Sequence, residues 1–278
     1  MRFSGRVAAL GASCVMAAGA LAGCGGPQAT KPAATPSATP TATPSWRPTT
    51  QPTHASVVER CQAGARGEQL TFTAKDGSLL PGAVFGSGDR AAVFVHQTGS
   101  TGMCGWVPYA EWAGRHGVRA IVLDVCGYGE SQCSPAFDKD IAGQLRLPVA
   151  WARAHGATTV TLVGASMGGS LVTGVGQRVG VDAIIDISSP PEWEGVPSVP
   201  EAARSITVPF LMIAATSDTE IQPAVLRTAL RSSPSKHKRF IAVPEGHGYT
   251  IVTNGSIMNV EITAVGRRVL DWVNGNRR

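Results

Sequence analysis

The chain has 278 residues, 43% of them hydrophobic and 15% charged, with a formal net charge of +5 at pH 7. That length suits one or two domains, and the apolar fraction is enough for a sizeable core. Arg2 and Arg6 fall in a leading segment read below as removable; without them 22 basic residues face 19 acidic ones. An excess of +3 over about 255 residues argues against nucleic acid as a partner.

Residues 1–23 have the make-up of a secretory signal: a basic start through Arg2 and Arg6, then a small apolar run from Val7 to Ala22. The run is too short and too rich in Gly and Ala to read as a membrane span. Its end, Leu21-Ala22-Gly23-Cys24, resembles the bacterial lipobox, which implies lipidation of Cys24 and anchoring to the outer face of the cell membrane. Residues 24–56 follow as a tether of Pro, Thr, Ala and Ser with almost nothing that could fill a core. In polyproline II form, at about 3.1 Å per residue, some thirty residues would reach roughly 90 Å.

The folded part is expected over 57–278. Glu68 to Ala74 and Leu79 to Phe85, separated by Lys75-Asp76-Gly77, read as a hairpin. Ala91 to Val95 reads as a buried strand, followed by the loop His96-Gln97-Thr98-Gly99-Ser100-Thr101-Gly102 and a helix over Trp106 to His116. Val118 to Asp124 is another strand, Cys126 to Pro135 a loop, and Asp140 to His155 a helix that Pro148 should kink. Strands follow at Thr158 to Val163, Val181 to Ile187, Val208 to Ala215 and Arg239 to Val243. Helices are expected after Ser166, over Gln222 to Arg231, and over Val260 to Val273 at the close. Strands alternating with helices imply a mainly parallel sheet covered on both faces.

The organising stretch is Val160 to Leu171. A β-branched run stops at Gly164, and Gly164, Ser166 and Gly168 form G-x-S-x-G, a pattern that lifts a serine on a strained turn between strand and helix. At the helix N-terminus the amide of Met167 would face a developing oxyanion. The plain alternative is a glycine-rich turn. A serine hydroxyl needs a base, and the base needs a carboxylate to hold its tautomer. Asp218 lies just past one late strand and His247 just past the next, and parallel strands bring such loops to one edge of the sheet. Glu220 is the rival acid, and Asp218 could instead serve as a turn residue or helix cap. His116 and His155 precede glycine and suit helix ends. Asp124 reads as a loop anchor.

With the order Ser, Asp, His in place, the sequence resembles the α/β-hydrolase superfamily from about Glu68 onward. Asp124-Val125-Cys126-Gly127-Tyr128-Gly129-Glu130-Ser131 looks like that family's D-x-x-G-x-G-x-S loop, and His96-Gln97-Thr98-Gly99 like its H-G oxyanion loop with Gln97 for glycine. The resemblance implies a second oxyanion amide from Thr98 and makes Gln97 an extra contact there. It implies an α/β-hydrolase fold; the roughly twenty residues between Ile187 and Val208 leave no room for a large lid.

Beyond the signal segment's Cys14 and the lipobox Cys24, four cysteines remain, an even number in a chain read as exported. Closeness in sequence favours Cys126 with Cys133, which leaves Cys61 with Cys104; zinc is disfavoured because there is no C-x-x-C pair. His96, Trp106, Trp193 and Tyr249 are candidates to line a substrate pocket, along with Met103 and Met167, each equally suited to ordinary packing.

The reading is a serine hydrolase of carboxylic esters, a carboxylesterase or small lipase-like enzyme needing no cofactor or metal. Its substrate would be a small-molecule or lipid ester. The alternatives are a dienelactone-hydrolase-like or peptidase-like enzyme, and a non-catalytic surface or cell-wall binding lipoprotein of the same fold. Dienelactone hydrolases use a cysteine nucleophile, and Ser166 counts against a close match. The ester, the acyl length and the oligomeric state are left open.

Overall fold

A computed structural model describes residues 56–64, 66–256 and 259–277. The signal segment, the lipidation of Cys24 and nearly all of the tether lie outside the described residues.

The sheet has eight strands: β1 (Glu68–Thr73), β2 (Leu79–Phe85), β3 (Arg90–Val95), β4 (Val118–Leu123), β5 (Thr159–Ala165), β6 (Ala183–Ile187), β7 (Phe210–Ala215) and β8 (Lys238–Val243). Their spatial order is β1-β2-β4-β3-β5-β6-β7-β8. β1 and β2 pair antiparallel, β2 pairs antiparallel with β4, and every pairing from β4 through β8 is parallel. The first hairpin closes as the Lys75-Asp76-Gly77 signal predicts: Ala74 N–H donates to Ser78 O, and Gly77 takes φ +90°. That left-handed position is one where glycine carries no Cβ penalty.

Alternation along each strand sends side chains to two cores. In β3, Ala91, Val93 and Val95 face one layer, while Ala92 and Phe94 face the other. Leu145, Val149 and Ala152 of α4 (Ile141–Ala154) belong to the first core. α5 (Met167–Val179), α6 (Val199–Ala203) and α7 (Pro223–Ser232) add Leu171, Val172, Ala203 and Leu226. The second core takes Val57 of α1 (Val57–Cys61), Tyr109 and Ala110 of α2 (Val107–Arg115), and Val269 and Trp272 of α9 (Ala264–Val273). Burying one such aliphatic or aromatic side chain stabilises by roughly 1.5–3 kcal/mol, so the helices of both layers contribute to holding the sheet between them.

Two local readings change. Val260 to Val273 is not one helix: β9 (Thr253–Ser256) and β10 (Asn259–Ile262) pair antiparallel, and the helix starts only after Thr263, whose side chain accepts from Gly266 N at 2.9 Å. Ile262 and Val265 suited either period, and the threonine cap decides where the helix begins. The proline-rich stretch after β6 is not wholly irregular, because Pro200 sits in the first turn of α6, where a missing N–H does no harm. α4 runs through Pro148 as the one helix that its spacing predicts. The link from β6 to β7 contains a helix of only five residues, α6, in keeping with the absence of a large lid.

Candidate active site

Ser166 stands between β5 and α5 at φ 50°, ψ −119°, a conformation a non-glycine residue adopts only at a cost of roughly 1–3 kcal/mol. The surrounding structure holds it there. Ser166 N–H donates to Ile187 O at 2.8 Å, tying the turn to the end of β6. A Cβ on Gly164 would overlap the Gly168 carbonyl, and one on Gly168 would overlap the Val95 carbonyl oxygen at the end of β3. Both glycines are therefore required by close backbone approach. Gly169 packs against a buried carboxylate: an added Cβ would lie 2.5 Å from Asp186 Oδ1.

Asp218 follows β7 and His247 follows β8, and the adjacent parallel strands deliver both loops to the same edge as Ser166. Asp218 Oδ2 lies 2.6 Å from His247 Nδ1, and the Asp218 side chain is only 4% exposed against 27% for His247. Asp218 Oδ1 accepts from Glu220 N at 3.1 Å, so both carboxylate oxygens are used. Glu220, the rival acid, reaches only 4.0 Å from His247 Nε2, and its side chain is 80% exposed. Ser166 Oγ forms no hydrogen bond among the described residues, so the aspartate–imidazole pair is assembled while the serine–imidazole contact is not formed. Catalytic hydrogen bonds are often long before substrate binds.

On the other side of the serine, the loop after β3 is held by four polar contacts. His96 is fully buried; its Nδ1 lies 2.8 Å from Gln97 O and its Nε2 accepts from Val125 N at 3.2 Å. The neutral ring with its proton on Nδ1 satisfies both, and burial holds the His96 pKa below its usual value. Gln97 N–H donates to Tyr249 Oη at 2.9 Å, while Gln97 Oε1 accepts from Tyr249 N at 3.3 Å. The Met167 and Thr98 amides have no hydrogen-bond partner among the described residues, whereas the Gln97 amide is occupied.

The expected pocket-lining residues divide. His96 and Trp106 are both 0% exposed and do not line a pocket. Trp106 donates from Nε1 to Val95 O at 2.9 Å and packs its ring against Phe94 and Tyr249, which makes it core. Met103 and Met167 are buried at 1% exposure. Trp193 is half-buried in a surface recess with Glu192, Glu194 and Val196 that contains no triad residue. Tyr249 borders a cavity of about 740 Å³ that it shares with Gln97, Ser100, Thr101, Glu130 and Asn254 and whose lining likewise contains no triad residue.

Asp124 is the loop anchor expected of it: fully buried, it accepts from Met103 N at 2.9 Å and Glu130 N at 3.0 Å and pairs with Arg60 at 2.6 Å. The Arg60 partnership had no signal in the sequence. Both disulfides pair as expected, Cys61 with Cys104 and Cys126 with Cys133, at Cα separations of 5.1 and 5.8 Å. His116 and His155 are the C-caps of α2 and α4. Asp186 at the end of β6 accepts from Ser189 N, Ser189 Oγ and Thr173 Oγ1; burial nonetheless pushes its carboxyl up to about 6.

No family model matches the chain. A stretch of 127 residues is 32% identical to the uncharacterised protein YfhR of Salmonella typhi, covering 42% of this chain and 43% of that one, so the chain spans less than half the length of the curated relatives it matches. Among solved structures it is similar to the Pyrococcus furiosus esterase Pf2001, with TM-score 0.59 and 14% identity over 80% of this chain and 95% of that one. It is also similar to XC6422 of Xanthomonas campestris, described as a member of a/b serine hydrolase without lid, with TM-score 0.54 and 17% identity over 75% and 94%. Est1E of Butyrivibrio proteoclasticus aligns with TM-score 0.57 and 14% identity over 75% and 98%. A parallel sheet with this strand order, a serine on the strand-to-helix turn and these structural neighbours give the described domain the α/β-hydrolase fold.

Proposed function

We propose that the protein is a serine hydrolase that cleaves carboxylic esters through an acyl-enzyme, with Ser166, His247 and Asp218 as its triad. The observation that carries this reading is the 2.6 Å pair between Asp218 Oδ2 and His247 Nδ1 on the sheet edge that bears the strained Ser166. Ser166 Oγ attacks the ester carbonyl carbon while His247 Nε2 takes its proton; Asp218 keeps the opposite proton on Nδ1 and stabilises the imidazolium. The carbonyl oxygen, now negative, is met by the amides of Met167 and Thr98. As the carbon–oxygen bond to the leaving group breaks, His247 returns the proton and the alcohol departs. A water molecule gives a proton to His247 and its hydroxyl to the acyl carbon; the bond from that carbon to Ser166 Oγ then breaks, His247 returns the proton to Oγ, and the acid leaves.

The esterase neighbours support hydrolysis as the reaction class, and the short β6–β7 link suits an open site accepting small esters. The test is intact mass of the full-length protein after a fluorophosphonate, with Ser166→Ala alongside. One adduct on the wild type and none on the variant is expected; no adduct on folded wild type sinks the reading. The Leu21-Ala22-Gly23-Cys24 stretch supports export with a lipid on Cys24 and attachment to the outer face of the membrane. Metabolic labelling with a fatty acid should mark the protein and leave Cys24→Ala unmarked.

A further inference from the structure

We infer that Tyr249 and Gln97 are positioning residues that lock the oxyanion loop to the histidine loop across the top of the nucleophile strand. The inference rests on the serine hydrolase reading. The two residues are 152 apart in sequence and exchange two hydrogen bonds: Gln97 N–H to Tyr249 Oη at 2.9 Å, and Tyr249 N–H to Gln97 Oε1 at 3.3 Å. Their loops follow β3 and β8, strands separated in the sheet by β5, β6 and β7. Nothing in the sheet ladder links these loops directly.

The linkage reaches the chemistry at both ends. Gln97 precedes Thr98, and its carbonyl is held by His96 Nδ1 at 2.8 Å. In a trans peptide the N–H points opposite the C=O, so fixing Gln97 at its amide and its carbonyl aims the Thr98 N–H. Tyr249 is two residues beyond His247, and between them Gly248 sits at φ 53°, ψ −121°. A Cβ on Gly248 would overlap Gln97 Oε1 and lie 3.6 Å from the Ala165 Cβ, next to the nucleophile. The histidine loop therefore folds directly onto Gln97 and the end of β5. Tyr249 is itself wedged: its ring meets Trp106 edge-on at 5.1 Å, and a Cβ on Gly105 would collide with it. A phenol that cannot swing away gives Gln97 N–H a fixed acceptor.

Tyr249→Phe deletes one oxygen and keeps the ring. The test is the rate of fluorophosphonate labelling of Ser166 in the full-length protein, resolved into a limiting rate and a half-saturating probe concentration. Leaving a half-buried donor without its fixed acceptor is expected to lower the limiting rate by about tenfold or more with half-saturation nearly unchanged. Gln97→Leu, which loses the second bond, should also slow the limiting rate, and Gln97→Glu, which keeps an acceptor, should recover most of it. Wild-type limiting rates in Tyr249→Phe, or a loss through half-saturation alone, overturn the inference while leaving the hydrolase reading in place. If Tyr249→Phe does not fold, Gln97→Leu against Gln97→Glu decides in the same way. Failure of folded wild type to label at all overturns the hydrolase reading, and this inference with it.

Discussion

Asp218 and His247 meet at 2.6 Å although 29 residues separate them, and each approaches from a loop that ends its own parallel strand. The aspartate is nearly buried and the histidine only half so, an arrangement that anchors the ring from behind and leaves Nε2 toward the open edge. Asp218→Asn keeps the shape but turns an acceptor into a donor at Nδ1, favouring the wrong tautomer. The expected loss in kcat on p-nitrophenyl acetate is about a thousandfold to ten thousandfold, with circular dichroism unchanged.

Glu220 tests the assignment of the acid. Its carboxylate stands 4.0 Å from Nε2 and is largely in solvent, where an ion pair is worth little. Glu220→Gln should change kcat/KM by less than about threefold, in line with the small energy of exposed pairs. A large loss, with Asp218→Asn mild, would transfer the acid's role to Glu220.

Gly168 illustrates what the nucleophile turn demands. An added Cβ would run into the Val95 carbonyl, which is backbone and cannot swing aside. Gly168→Ala should lower the unfolding free energy by about 2 kcal/mol or more and displace Ser166 as well. Urea titration reads the first effect and fluorophosphonate labelling the second; a variant with wild-type stability would show that the β3 end yields more readily than its packing implies.

Asp186 should make stability depend on pH. Burial raises its carboxyl to about 6 from 3.8, so the folded state holds a proton that the unfolded chain has lost. The stabilisation this gives is fully present below pH 3.8 and is lost as pH rises through about 6. Asp186→Asn removes that dependence, and the variant should gain on wild type by roughly 2–3 kcal/mol between pH 4 and pH 7. Urea unfolding at the two pH values measures it, and a constant difference would rule it out. His96 acts in the opposite sense: its pKa is lowered, and its contribution is present above pH 6.5 and lost as pH falls. Once pH falls below the lowered value of the folded state, protonated Nε2 would set a second donor against Val125 N–H.

Arg60 lies in α1, which has only five residues, yet its guanidinium reaches the buried Asp124 at 2.6 Å with 7% side-chain exposure. Arg60→Met leaves that carboxylate without its counter-charge and should cost about 3–5 kcal/mol, as removal of one partner of a buried pair does. Chemical denaturation without reductant is the check, because the neighbouring Cys61–Cys104 disulfide must stay closed. A loss below about 1 kcal/mol would mean that the Met103 and Glu130 amides suffice to hold Asp124.

Local signals in the chain carried much of this. Gly164, Ser166 and Gly168 announce the turn because a tight strand-to-helix passage excludes a Cβ at fixed offsets. Continuous apolar runs such as those in Arg90–Val95 and Phe210–Ala215 announce a sheet buried on both faces. Asp218 and His247 were legible because each ends a strand, and parallel strands bring such ends together. What no local pattern carries is a contact between distant residues. Burial of His96 and Trp106, the Arg60–Asp124 pair and the Gln97–Tyr249 exchange each depend on segments that meet only after the sheet has formed. The β9–β10 hairpin was missed for a related reason: the short strand Asn259–Ile262 looks helical until its partner Thr253–Ser256 lies beside it. The sequence by itself determined the candidate residues Ser166, Asp218 and His247 and their order along the chain; only the tertiary structure decided which of their neighbours face the site and which are walled into the core, because hydrogen bonds and burial are settled between elements, not within them.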